Sequence, residues 1–251
     1  LYQKIRVGAV SYLNTKPLTY GFEQGMMAEE VELSFAPPAA LAKRLLDNEL
    51  DVALVPVAIL PSMKEYHIIS NYCIGANGKV ASVAIFSEVP LAEVKEVYLD
   101  FESRTSVALA KILLEEYWKV SPQLLLAQPG YEQLISGTSG GLIIGDRALA
   151  QNSSSTYKYD LAEAWKELTG LPFIFAAWVS NNKMTDDFID RFNEATSFGF
   201  SHLDEVVKKN PFQYYDLHSY YTNDIDYILD ADKMKAMEIF LNKISENKKV
   251  I

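Results

Sequence analysis

Four short stretches of this 251-residue chain set small polar side chains where a strand runs into a helix, a place suited to holding an anion. The first is Ile5-Arg6-Val7-Gly8-Ala9-Val10-Ser11-Tyr12-Leu13-Asn14-Thr15-Lys16-Pro17-Leu18. Its apolar run turns at Ser11, Tyr12 and Asn14 and resumes as a helix led by Thr15, Lys16 and Pro17. A helix start offers unpaired N–H groups and a partial positive charge, so a carboxylate is a natural guest. The second is Ser82, a lone hydroxyl in the apolar run Val80-Ala81-Ser82-Val83-Ala84, where a buried polar group needs a partner. The third, Ser103-Arg104-Thr105-Ser106, places hydroxyls ahead of Val107-Ala108-Leu109-Ala110. The fourth is Gly145-Asp146-Arg147-Ala148, an acid directly after an apolar strand, able to act as a base, orient a donor or receive a substrate hydroxyl. Each stretch also has a plainer use. Ser11, Asn14, Ser103 and Thr105 suit helix capping, Ser82 suits a bond to nearby backbone, and Asp146 suits a cap or a pair with Arg147 or Arg104. Taken alone, the opening junction reads first as a cap.

Other chemistries lack their residues. His67, His202 and His218 are dispersed, with no i, i+4 pair to hold a metal, and the single cysteine, Cys73, sits in an apolar run and reads as a buried, inert thiol. No Gly-x-Gly-x-x-Gly, P-loop or Gly-x-Ser-x-Gly pattern occurs, so nucleotide cofactors and serine hydrolysis lose support. Neither a cofactor nor a metal is expected. Hydrophobic residues make up 49% and charged residues 22%, the balance of a globular protein. Lys and Arg total 23 against 33 Asp and Glu, a formal charge of −10, which argues against a nucleic-acid partner. No run of 18 apolar residues and no signal-peptide pattern is present, so neither a membrane partner nor export is expected, and a cytoplasmic location is.

The elements that must position these stretches follow from periodicity. Strand, helix, strand (Val31–Ala36), helix (Ala39–Leu50) and strand (Asp51–Val57) make a βαβαβ opening, the pattern of a parallel, helix-covered sheet. Tyr66–Ala76 and Val80–Ser87 flank Asn77-Gly78, a hairpin signal. From Pro90 a second, smaller α/β unit begins, with strands at Glu96–Asp100, Leu124–Gln128 and Gly140–Asp146 and a helix from Thr105 to Lys119. A helix from Asp160 to Thr169 is closed by Gly170, and Phe173–Val179 is the last expected strand, after which the chain reads as helical. Tyr214-Tyr215 and Tyr220-Tyr221 suit a cleft edge, a subunit contact or the packing of a helical cap. The economical solution is a two-lobed α/β fold with a central ligand cleft and two hinge crossings. Residues 1–84 and 179–251 form the first lobe and residues 85–178 the inserted second.

The opening motif, Val7 to Leu18, resembles the signature of the chorismate dehydratases of the futalosine route to menaquinone, the MqnA family. The similarity continues through Asp51–Val57, the Ser82 strand, Ser103–Ser106, Gly145–Ala148 and Asp160–Trp178. The resemblance implies a type II periplasmic-binding-protein-like fold and the conversion of chorismate into 3-[(1-carboxyvinyl)oxy]benzoate and water. A sister family on this fold carries a histidine after its first strand; here that turn reads Ser11-Tyr12-Leu13-Asn14, which favours the dehydratase branch. On this resemblance Asn14 and Ser82 are the expected catalytic residues, and Ser11, Tyr12, Ser103, Thr105, Ser106 and Asp146 the expected substrate contacts. Thr105 and Ser106 are assigned to one carboxylate and Ser11 with Ser82 to the other side of the ligand. No histidine is placed as a base, which leaves the substrate's own enolpyruvyl carboxylate to take the proton. The main rival is a solute-binding protein that captures a small anion unchanged; a ligand-sensing domain of a regulator is weaker. Composition does not reveal the oligomeric state.

Overall fold

In the computed structural model, which describes residues 3–247, the chain forms two mixed sheets. The first contains β1 (Ile5–Val10), β2 (Val31–Ala36), β3 (Val52–Pro56), β4 (His67–Ala76), β10 (Phe173–Ser180) and β11 (Asp226–Ile228), in the order β11-β4-β10-β3-β1-β2. β1 runs parallel to β2 and β3, whereas β10 is antiparallel to β3 and β4. The second contains β5 (Val83–Ser87), β6 (Glu96–Leu99), β7 (Gln123–Leu126), β8 (Ser139–Ile144) and β9 (Tyr157–Asp160), in the order β7-β6-β8-β5-β9. β3 and β10 are buried along their whole length, which is why they read as unbroken apolar runs rather than alternating ones.

Helices α1 (Lys16–Glu23) and α2 (Pro38–Leu46) complete the opening βαβαβ unit; α3 (Arg104–Ile112), α4 (Gly145–Gln151) and α5 (Leu161–Thr169) follow. The α5 boundaries are written in its sequence. Asp160 Oδ1 accepts from Ala162 N and Glu163 N at 3.0 and 3.1 Å, and Gly170 ends the helix at φ +74°. The C-terminal part contains α6 (Asp186–Ser197), α7 (Leu203–Lys209), α8 (Leu217–Ser219) and α9 (Ala231–Asn247). Phe240 of α9 packs edge-on to Phe173 and Trp165, with ring centroids 5.1 and 6.2 Å apart. The last helix is thereby fixed on the first sheet. No helix among the described residues is long and apolar enough to cross a membrane.

Three expectations need correction. Gly78 does turn, at φ +127°, but β4 and β5 do not pair as a hairpin; β4 lies between β10 and β11, and β5 between β8 and β9. Two edge strands, β9 and β11, occur where none was expected. The boundary at 178/179 falls inside β10, which pairs from Phe173 to Ser180 within the first sheet, so the return crossing precedes Phe173. The outward crossing is at Val80–Ser82, between β4 and β5. We propose lobe boundaries at these two passages.

Candidate active site

Between the sheets lies a cleft whose empty space, open solvent at its mouth included, is about 530 Å³, in the inter-lobe position where small-ligand sites are common. Val10, Tyr12, Asn14, Pro38, Pro56, Ile74, Phe175 and Ala176 line it from the first sheet's side, and Val83, Ser103, Thr105, Ser106, Ile144 and Gly145 from the second's. Val80 and Ser82, on the outward crossing, complete it. Tyr12 is the one titratable side chain in that lining. Burial, and then its hydrogen bond to Glu102, push its hydroxyl far above its ordinary range. The cavity is therefore neutral, rich in hydroxyls and without a resident base.

The first wall is the turn after β1. In extended chain, neighbouring side chains face opposite ways, so Val10 and Tyr12 reach the cavity while Ser11 is exposed and does not line it. A 3₁₀ turn, Leu13–Thr15, leads into α1 and is closed by Thr15 N donating to Tyr12 O at 3.1 Å. No side chain caps α1, so the plain capping use of Ser11 or Asn14 is not realised. Thr15 Oγ1 donates to Asn14 Oδ1 at 3.2 Å, which leaves the Asn14 NH₂ to donate elsewhere. Across the cleft Gly145 adopts φ +62°, and a Cβ there would stand 3.1 Å from the Tyr12 ring. Glycine lets the ring close against the start of α4.

The crossing that carries Ser82 is a backbone kink. Ala81 has φ +64°, Ser82 N donates to Val80 O at 2.8 Å, and Gly145 N donates to Ser82 O at 2.7 Å. Asp160 holds the kink, its Oδ2 accepting from Val80 N and Ala81 N at 3.1 and 2.8 Å. Burial pushes this carboxyl up to about 6, against the pull of its four backbone N–H bonds. Ser82 Oγ itself is buried with no hydrogen-bond partner, and so are Tyr220 Oη and Tyr221 Oη. The Ser82 and Tyr220 hydroxyls adjoin without forming a hydrogen bond, and burial drives Tyr220 well above its usual value. Nearby backbone does not satisfy Ser82, contrary to the plainer reading.

The third wall is the start of α3. Ser103 does cap it, accepting from Ser106 N at 3.1 Å, with the Ser103 and Ser106 hydroxyls 2.8 Å apart. Thr105 Oγ1 accepts from Ala58 N at 3.1 Å, a bond between the lobes. All three hydroxyl residues still line the cavity, at a helix start whose first amides, at Arg104 and Thr105, have no intrahelical acceptor.

Asp146 lies elsewhere. It lines an outer pocket of about 680 Å³ that shares Tyr12 and Ile144 with the cavity, and its Oδ1 accepts from Leu13 N across the cleft at 3.0 Å. Burial raises its pKa, opposed by that amide and by Lys16. The neighbouring Arg147 bonds to Asp100 and Glu132 at 2.6 Å each and to Glu102 at 3.2 Å, while Tyr12 donates to Glu102. Glu102, Arg147 and the apolar lining carry no site role in the sequence reading, whereas Tyr220 falls in the Tyr220-Tyr221 pair that suits a cleft edge, a subunit contact or packing. Among the described residues no group of His, Cys, Asp and Glu is arranged to hold a metal, and no charged side chain lines the cavity for a nucleotide phosphate.

Comparison with known proteins places this geometry. A family model described as "Menaquinone biosynthesis" matches residues 5–246. A chorismate dehydratase of Thermus thermophilus is 29% identical over 222 residues, 80% of each chain. One from Campylobacter jejuni is 31% identical over 177 residues, 67% of this chain and 64% of its own. Among solved structures, the Candida albicans CA3427 product, described as having the generic periplasmic binding protein fold, superposes with a TM-score of 0.62 at 14% identity. The match covers 96% of this chain and 90% of that one. The two-lobed fold expected from the sequence is thus the periplasmic-binding-protein fold.

Proposed function

The chain belongs to the menaquinone biosynthesis family, and from that premise we propose that it is a chorismate dehydratase, a hydro-lyase forming 3-[(1-carboxyvinyl)oxy]benzoate. The observation that carries the reading beyond the family is the lining of the cavity: neutral donors on both sides and no protein base.

Chorismate suits that inventory. It has two carboxylates, a ring hydroxyl that must leave, and a ring proton on the carbon bearing the enolpyruvyl ether. Breaking that C–H bond sends its electrons toward the ring carboxylate through the intervening double bond. Their return forms the third ring double bond as the neighbouring C–O bond breaks, and the departing oxygen leaves as water once protonated. Donors fixed around the ring carboxylate stabilise the charge as it develops, which is where an enzyme gains rate. The start of α3, with Thr105 and Ser106, is assigned to one carboxylate. Ser82 and the Asn14 amide are assigned to the leaving hydroxyl and the enolpyruvyl arm. Tyr12 covers the ring. With only Tyr12 titratable in the lining, and held protonated, the base is assigned to the substrate's own enolpyruvyl carboxylate, which then returns the proton to the leaving oxygen. A cytoplasmic location goes with this reading.

The test is direct. Purified protein incubated with chorismate is expected to consume the diene absorbance while an aromatic enol ether appears. Tight binding of chorismate with no conversion would turn the reading into that of a solute-binding protein.

A further inference from the structure

We propose that Tyr227, outside the cavity, is a positioning residue that holds Asn14 in its working orientation through a hydrogen bond to the Asn14 carbonyl. The inference rests on the dehydratase reading for its kinetic consequence and on geometry for its cause. Tyr227 Oη donates to Asn14 O at 2.9 Å, across 213 positions of sequence. The motif itself creates the need: the residue three beyond Asn14 is Pro17, which has no N–H to close a 3₁₀ turn onto that carbonyl. An outside donor fills the gap.

The donor is rigidly mounted. Tyr227 is buried, its ring lies 5.0 Å from that of Phe200, and its strand β11 is a three-residue edge of the first sheet. So short a strand needs an anchor. Lys233, fully buried at the start of α9, supplies one by bonding Asp226 at 2.6 Å and Asp230 at 3.3 Å. Its stem runs past Gly75 of β4, where a Cβ would meet Lys233 Cε at 3.0 Å and the Phe173 carbonyl at 2.8 Å. On the other side of the turn, Leu13 N is held by Asp146. Asn14 is thus pinned between β11 of its own lobe and α4 of the other, and the Tyr227 bond is the pin on Asn14 itself. Burial drives the Tyr227 hydroxyl well above its usual pKa, so it remains a donor.

Displacement of a reacting group by a fraction of an ångström can cost turnover without costing affinity. Tyr227→Phe, which keeps the ring, is expected to lower kcat about 10-fold or more with KM within about 3-fold. In an Asn14→Ala background the same change is expected to alter kcat less than about 2-fold, because a residue that acts through Asn14 has nothing left to act on. 4-Aminophenylalanine at 227, which restores a donor, is expected to recover most of the loss. An equal loss with and without Asn14, or wild-type kcat in Tyr227→Phe, would overturn the proposal. A readout independent of turnover separates it from the dehydratase reading: the Asn14 side-chain amide NMR resonance, identified by its absence in Asn14→Ala, is expected to shift in Tyr227→Phe. An unmoved resonance overturns the positioning role, whereas a shifted resonance in a protein that leaves chorismate intact overturns only the dehydratase reading.

Discussion

Around the Tyr12 ring, two polar regions meet that are built on opposite terms. On the cavity side Ser82 Oγ and, beside it, Tyr220 Oη are buried without partners, and no charge lines the wall. On the outer side Arg147 is shared by Asp100, Glu102 and Glu132, Glu102 also accepts from Tyr12, and Asp146 takes an amide from the facing lobe. By charge alone the outer pocket is the more eye-catching site. Its groups, however, satisfy one another, whereas unmade hydrogen bonds in a buried wall cost stability until something completes them. Ligand chemistry belongs on the side whose donors are left over, and structure on the side whose charges are matched.

The largest effect expected from this contrast is on stability. Arg147→Met leaves the Asp100 carboxylate, whose side chain is fully buried, with two hydrogen bonds and no counter-charge. Burial already raises the Asp100 pKa, and Arg147 is the chief opposing influence. Loss of one partner of a buried pair costs about 3–5 kcal/mol, so chemical denaturation should show a drop of that size, with kcat per folded molecule within about 3-fold of wild type. A collapse of kcat with stability intact would break the division of labour. On the cavity side the expectation reverses: Asn14→Ala should lower kcat about 100- to 1,000-fold, the usual cost of removing a donor aimed at developing charge. Its melting temperature should stay close to wild type, since Asn14 is half-exposed, and the assay is steady-state turnover alongside a thermal scan.

How much of this was legible before the structure depends on how local each feature is. The β1–turn–α1 unit and the Asp160 and Gly170 ends of α5 came through, because strand, cap and stop signals all act within a few residues. The Asn77-Gly78 turn was also read correctly as a turn. Which strands it joins is decided by pairing with β10 and β8, almost a hundred positions away for β10, and local turn chemistry carries no information on that. β9 and β11 have four and three residues, too few to display a period. Asn14, Ser82, Tyr12 and the α3 hydroxyls, though far apart in sequence, line one cavity. Ser11 fits by residue type alone; one step of strand alternation turns it outward. Arg147 and its three acids come from segments that no motif links, and the Tyr227 bond spans most of the chain.

The smallest expected effect sharpens the contrast at its boundary. Asp146 accepts the Leu13 amide across the cleft, from the turn that carries Asn14, and burial holds its carboxyl above the ordinary carboxylate range. The folded chain therefore keeps this proton more tightly than the unfolded chain. Its favourable contribution is complete below the unfolded pKa, near 3.8, and is lost as pH rises through the higher folded value. Asp146→Asn cannot ionise, yet its amide oxygen can still accept from Leu13 N. Urea denaturation at pH 4 and pH 7 should then show the wild type losing more stability than Asp146→Asn over that interval, by less than the Arg147→Met effect. Equal slopes would mean that solvent already reaches this carboxylate, and the outer pocket would no longer count as a closed, self-satisfied network.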